Sequence, residues 1–245
     1  MTNSKSSNST LTGNLVHEVS SLIRHKILTL PDLRPFDNPH PIVENDDVFI
    51  INEMNSCRGL RKVHLETGYT ENIEVMHCVF FPDPNYPLPI FGADIVATPK
   101  VITAAIADIS PVYNASSIYY GLDLIASQYK FKEPRALPDW ADIFSPFCQF
   151  VRIRDNKEKG MFVQLVERYL DIYIEHVYGA ERDPQWINTM KRMDDQIWYC
   201  KQQRQNKKTK AVLGQWFDPE WAQDYIDNTL FDTPNSNWRW WMNNE

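Results

Sequence analysis

A chain of 245 residues with 43% hydrophobic and 23% charged content can bury a sizeable core, as one large domain or two small ones, and no linker-like stretch divides it. The net charge of −7 argues against nucleic acid as the main partner, because phosphate binding calls for a basic surface. No apolar run approaches the roughly 18–20 residues that span a bilayer, and Cys57, Cys78, Cys148 and Cys200 stand too far apart for a zinc site or a disulfide framework, which points to a cytosolic or plastid-stromal protein.

The Ser/Asn-rich start, residues 1–13, has no hydrophobic signal core and reads as disordered. Asn14–Leu28 places Leu15, Val16, Val19, Leu22, Ile23 and Ile27 on one stripe, the pattern of an amphipathic helix. After the proline-rich connection Pro31–Pro41, Val48–Glu53 and Leu60–Glu66 read as strands joined near Cys57-Arg58-Gly59. Ile73–Phe81 and Ile90–Thr98 alternate like strands on either side of Pro82–Pro89, whose prolines cannot donate to a ladder, and Val101–Asp108 follows as a fifth strand. Short links between these strands imply an antiparallel meander. Ser117–Gln128 reads as a helix, a helical turn is expected between Leu137 and Ile143, and Phe147–Ile153 alternates as a further strand. Gly160–Tyr178 and Pro184–Asn206 carry apolar residues at helical spacing, and shorter helices are expected at Thr209–Trp216 and Pro219–Thr229. Strands first and helices last, with the central strands apolar on both faces, give an α+β fold: a three-layer α/β/α sandwich around an antiparallel sheet. This is one domain over 14–232 with a C-terminal extension, 233–245, whose aromatic run Asn237-Trp238-Arg239-Trp240-Trp241 is expected to pack back onto it.

Symmetric pairing about the Pro82–Pro89 loop puts His77 opposite Asp94, Val79 opposite Gly92 and Val75 opposite Val96. Folding back through Thr67–Asn72 would set Glu66 against Ile73 and His64 against Val75, so that His64, Glu66, His77 and Asp94 share a face, with Glu66 displaced sideways from the His77–Asp94 pair. A single His–Asp pair is as readily a satisfied core hydrogen bond as a site. Four ionisable groups among Ile73, Val75, Val79, Phe81, Ile90 and Val96 cost several kcal/mol to bury unless something polar is bound, which favours a proton-handling pocket. The other face carries Val63, Leu65, Met76, Cys78, Phe80, Ala93, Ile95 and Ala97, an ordinary core pattern, and Gly92 leaves a gap where a ligand or another backbone can come close. Lys201, Arg204, Lys207, Lys208 and Lys210 form a basic run that is either a solvated face or a grip for anionic groups or an acidic protein, and Arg152 at a strand end is a second anion grip. No Gly-x-Gly-x-x-Gly, P-loop or Gly-x-Ser-x-Gly is present, so neither nucleotide binding nor a serine-elbow hydrolase is signalled.

Arg61–Glu66, Met76–Pro82, Leu88–Val96 and Ala104–Pro111, followed by Ile143-Phe144-Ser145, the strand ending at Arg152 and Leu230-Phe231-Asp232, resemble the ferredoxin-dependent bilin reductases over about Arg61 to Asp232. The resemblance implies an antiparallel sheet between helical layers that binds biliverdin, a tetrapyrrole that accepts electrons itself, with no metal or organic cofactor and with reduced ferredoxin as the external electron donor. It implies catalytic roles for Glu66, His77 and Asp94, with Asp94 at the position of the family's central proton donor and His77 its neighbour. His64, Thr103, Arg152, Asn206 and Lys208 are implied to contact substrate, Arg152 and Lys208 at propionate-binding positions. Glu66 together with His77 resembles the branch that makes phycocyanobilin by four-electron reduction. Lys207 departs from the pattern, standing where many members carry a second acid, which leaves Glu66 as the better candidate for that role. The function so implied is proton-coupled radical reduction of biliverdin; reductases with another product, and a bilin carrier without chemistry, are the alternatives. The expected partners are biliverdin and ferredoxin, an acidic iron–sulfur protein, with no nucleic acid and no membrane, and the chain is expected to be a cytoplasmic monomer of cyanobacterial type.

Overall fold

In a computed structural model of the chain, residues 15–234 are described; the disordered start expected over 1–13 and the packing expected of Asn237–Trp241 fall outside them. One antiparallel sheet holds β1 (Arg34–Pro35), β2 (Ile42–Glu44), β3 (Phe49–Cys57), β4 (Leu60–Tyr69), β5 (Glu74–Pro82), β6 (Ile90–Ala97), β7 (Ile102–Ser110) and β8 (Gln149–Ile153). Its order is β1-β3-β4-β5-β6-β7-β8, with β2 also on β3, so the chain meanders from β3 to β7 because each link is too short to cross a neighbour. The helices α1 (Leu15–Ile27), α2 (Tyr119–Ala126) and α3 (Asn156–Gly179) cover one face; α4 (Trp186–Gln203), α5 (Lys207–Trp216) and α6 (Pro219–Tyr225) cover the other. This is the expected three-layer sandwich.

Several local expectations change. The proline-rich connection contains β1, whose Pro35 sits opposite Asn55 on an edge strand, where a missing N–H leaves no ladder gap. The helical turn expected before Ile143 is a pair of tight turns, Ala141 N–H to Pro138 O and Phe144 N–H to Ala141 O. The pairing of β4 with β5 is also tighter than the sequence reading: β4 runs on through Tyr69, and Thr70 Oγ1 accepts from Ile73 N–H at 2.9 Å to close a shorter turn. Glu66 therefore faces His77 and His64 faces Val79, four residues along from the expected partners. The shift is even on each strand, so every side chain keeps its face. The β5–β6 register is as expected, His77 opposite Asp94 and Val79 opposite Gly92.

On the α1/α3 face, Val63, Leu65, Met76, Cys78, Phe80, Ala93, Ile95 and Ala97 are all buried against the α3 stripe of Phe162, Leu165, Val166, Tyr169, Leu170, Tyr173 and Val177. Each buried Val, Leu, Ile, Phe or Met among them contributes about 1.5–3 kcal/mol. The N-cap Asp155 accepts from Glu158 N–H at 2.9 Å and starts α3, while Tyr173 donates to Pro89 O at 2.9 Å and ties the helix to the loop between the central strands. That loop is held from the other side too. Arg192, fully buried on α4, donates Nε–H to Pro84 O at 2.6 Å and pairs with Asp183 at 3.0 Å.

A β-bulge at Arg61, where Leu60 pairs with Pro82 and Lys62 with Phe81, turns two neighbouring side chains to the same face, so that Arg61 and Lys62 both lie over the Phe81 ring. Lys62 is 1% exposed and donates to Thr229 O and Leu230 O at 2.7 and 3.3 Å as well as to the Asp232 carboxylate. These carbonyls end a π-turn, Ile226–Leu230, that continues α6, so a buried cation satisfies acceptors that a helix end leaves orphaned. Arg61 adds bonds to Asp232 Oδ2 and O at 2.7 and 2.8 Å, and Arg204 donates to Asp227 O and Phe231 O at 2.9 and 2.8 Å. Burial works against the charge of Asp232, but Arg61 and Lys62 outweigh it and hold the carboxyl below the usual range. Asp232→Ala should strip two buried cations of their counterion and lower the unfolding free energy by about 3 kcal/mol, read from the urea midpoint, whereas Lys62→Met, which fills the same space without a charge, should cost less.

Candidate active site

Four polar side chains line up on one rung of the face covered by α4–α6: Asn52 on β3 opposite Glu66 on β4, Glu66 opposite His77 on β5, and His77 opposite Asp94 on β6. The row ends in Ile106 and Phe150 on β7 and β8. His64 stands one rung away, its ring 5.8 Å from that of His77 and nearly perpendicular to it. His77 Nδ1 lies 2.5 Å from Asp94 Oδ1. The side chain of His77 is 13% exposed and that of Asp94 42%, while Glu66 and His64 are buried. The row is thus open at Asp94, beside the exposed Val96, and closed over Glu66 by Tyr225 of α6, which touches Glu66 Oε2 at 2.6 Å. Phe231, held in place by the Arg61–Lys62–Asp232 cluster, sets its ring edge to face against His77 at 5.3 Å.

Burial opposes a charge on His77, yet the Asp94 carboxylate and its hydrogen bond, with Glu66 beyond, hold the imidazolium, so its pKa lies above the ordinary value. Burial pushes Glu66 upward, against the pull of His77, and so favours the neutral acid. His64 is driven the other way: desolvation, then the charges of Lys62 and His77, keep it neutral. The three shifts therefore favour different protonation states for adjacent groups: a charged His77, a protonated Glu66 and a neutral His64. His77 Nε2 and His64 Nδ1 are buried without hydrogen-bond partners.

The structure brings together the four residues at the centre of the sequence reading. Glu66 is not displaced sideways from His77 and Asp94 but shares their rung, because the turn after β4 is shorter than expected. The others lie at the margin and share no hydrogen bond or ion pair with the central four. Thr103 Oγ1 donates to Val96 O at 2.9 Å. Arg152 has the strand phase of Phe150, with its Nη1 3.7 Å from Glu133 and its buried Nε unpartnered. Asn206 is the N-cap of α5, its Oδ1 accepting from Lys208 N–H at 3.1 Å, and Lys207 and Lys208 are exposed in the first turn. The approach to Gly92 is taken by Tyr199 of α4, whose hydroxyl would lie 3.4 Å from a Cβ placed there. Sequence reasoning missed Asn52, Tyr225 and Phe231. The signal for Asn52 was present, since it falls in phase with the buried Ile50 and Met54 of its strand; Tyr225 and Phe231 come from remote segments, and although Phe231 stands in the Leu230-Phe231-Asp232 motif, no periodicity places either of them over the row.

Residues 14–232 match the family profile described as ferredoxin-dependent bilin reductase. The chain is 40% identical over 230 residues to the phycocyanobilin:ferredoxin oxidoreductase of Prochlorococcus marinus (strain MIT 9313), covering 90% of this chain and 87% of that one. It is likewise 40% identical over 230 residues to the enzyme of the same name from Synechococcus sp. (strain CC9902), covering 90% and 93%. Tomato phytochromobilin synthase, in a crystal structure with biliverdin, shares the fold with a TM-score of 0.75 at 17% identity, covering 86% of this chain and 82% of that one.

Because the folded-state pKa of His77 is raised above the ordinary 6.5, its stabilisation is full below that value and is lost as pH rises through the raised one. His77→Gln should therefore cost more stability at about pH 6 than at about pH 9 in urea titrations, and imidazole nitrogen NMR should show His64 still neutral where His77 is charged.

Proposed function

The chain belongs to the ferredoxin-dependent bilin reductase family, and from that premise we propose that it reduces biliverdin IXα to phycocyanobilin, taking four electrons one at a time from reduced ferredoxin and four protons through radical intermediates. As a member it is an oxidoreductase acting on CH–CH groups of a bilin with ferredoxin as donor. The observation that carries the finer reading is the Asp94–His77 pair: a half-exposed carboxyl at the open end of a buried row, bonded to an imidazole that keeps its proton. Asp94 is the group of the row that a ligand lying on the sheet can reach, so it delivers protons to the pyrrole system, and His77 behind it resupplies or stabilises the charge left on Asp94. Glu66, neutral and on the same rung, is the second acid, and His64 the neutral base that shares its end of the row. Two acids are what reduction at two separate carbons requires, and the exposed lysine that stands at position 207 cannot supply one.

The margin residues fit the anionic end of the substrate. Lys207, Lys208 and Lys210 crowd the first turn of α5, where the helix dipole disfavours cations and a propionate would relieve the repulsion; Arg152 projects from the β8 end of the same face, near Phe150. Thr103 borders Val96 and Asn206 caps the helix that carries Lys208.

Anaerobic incubation with biliverdin, ferredoxin and a reducing system, followed by chromatography, tests the reading. Phycocyanobilin is the expected product; a two-electron product would reassign the branch, and binding without reduction would make the chain a carrier. In the same assay Asp94→Asn should bind biliverdin but lose about 100-fold or more of the reduction rate. Turnover at the normal rate in that variant would remove Asp94 from the mechanism.

A further inference from the structure

At the closed end of the row, hydrogen-bond geometry fixes where the protons are. Asn52 Nδ2 donates to the main-chain carbonyl of His40 at 2.7 Å. A carbonyl only accepts, so the amide cannot be reversed without opposing two acceptors, and its Oδ1 faces inward. The strand backbone pins the residue further: Asn52 N–H donates to Pro41 O and Asn52 O accepts from Asn38 Nδ2, both at 2.9 Å. Two groups approach Oδ1, His64 Nε2 at 2.7 Å and Tyr225 Oη at 2.9 Å. An amide oxygen has two lone pairs and no proton, so a hydrogen bond from either neighbour needs the His64 proton on Nε2 or the Tyr225 hydroxyl proton directed at Asn52.

Tyr225 has one proton and two oxygen neighbours, since its Oη also lies 2.6 Å from Glu66 Oε2. With the hydroxyl proton directed at Asn52, the Glu66 contact is a hydrogen bond only if Glu66 is the donor. The opposite assignment, Tyr225 donating to a Glu66 carboxylate, leaves two oxygens 2.9 Å apart with no proton between them among buried side chains, and an unmade hydrogen bond there costs about 1–3 kcal/mol. The titratable groups around Glu66 are Tyr225 from α6, His77 and Asp94 from β5 and β6, and His64 on its own strand, with Lys62 further along it.

We propose that Asn52 is a positioning residue: locked by His40, it takes the Tyr225 hydroxyl proton and so obliges Glu66 to donate to Tyr225, which holds Glu66 as a loaded neutral acid before substrate arrives. The use of that proton in catalysis rests on the function proposed above; the protonation itself belongs to the substrate-free chain. The two can therefore fail separately.

Infrared spectroscopy of the substrate-free full chain decides it, with the carboxylic-acid C=O band assigned to Glu66 by its loss in Glu66→Gln. Wild type should show the band at neutral pH. Asn52→Leu frees Tyr225 to donate to the Glu66 carboxylate and should lower the band's titration midpoint by about one to two pH units. In Tyr225→Phe the band should persist, and adding Asn52→Leu to that variant should no longer move the midpoint, a dependence on Tyr225 that a merely structural role for Asn52 would not produce. An Asn52→Leu midpoint equal to that of wild type, or one that falls equally without Tyr225, overturns the proposal. If Asn52→Leu does not fold, wild type and Tyr225→Phe still decide: a Glu66 ionised at neutral pH in wild type, with the band emerging only in Tyr225→Phe, means that Tyr225 is the donor and the proposal is wrong.

Discussion

A carboxyl or imidazole group under a layer of helices costs several kcal/mol unless each of its polar atoms meets a partner, and this sheet carries such groups on consecutive strands at one level. The face covered by α4–α6 answers most of that cost, leaving His77 Nε2 and His64 Nδ1 as buried atoms without a hydrogen-bond partner. Asp94 is left half exposed and paired with His77; Glu66, wholly covered, is met by the Tyr225 hydroxyl; His64, also covered, is met by an amide and kept neutral by its surroundings. Protonation states that would average out in water become fixed and different over a few ångströms.

The same constraint explains the bulge at Arg61. A regular strand would send Arg61 to the apolar α3 face, where nothing could meet a guanidinium. The extra residue turns it beside Lys62, and both cations close on Asp232 and the last carbonyls of the π-turn. What looks like a remote structural ion cluster thus places Phe231 on the His77 ring and the helix bearing Tyr225 over Glu66. Stability of the C-terminal segment and geometry of the site are one problem.

Motif resemblance and physics agree on the centre of the site and divide elsewhere. The relatives at 40% identity bear the name phycocyanobilin:ferredoxin oxidoreductase, and the rung sets the carboxyl groups of Glu66 and Asp94 on either side of the His77 imidazole. The basic end of α5 and Arg152 share no hydrogen bond or ion pair with that rung. Lys207 adds to that basic end.

Alternation and a proline-bounded loop were enough, from sequence alone, to set β5 against β6 in the right register and to put His77 against Asp94, because a hairpin with a fixed centre leaves one free number and the buried apolar face selects it. They also assigned each central residue to its face and gave the layer order. They did not set the β4–β5 register: Thr67-Gly68-Tyr69 reads equally as loop or strand, and the turn that Thr70 closes is a local hydrogen-bond choice without a periodic signature. Nor could they supply Tyr225 and Phe231, which meet Glu66 and His77 across more than 150 residues of chain, or the direction of the Asn52 amide, which depends on the carbonyl of His40. Periodicity reports which face a side chain takes, since that repeats along one element. Which proton lies on which atom is decided by contacts between elements, and those exist only once the helices have closed on the sheet.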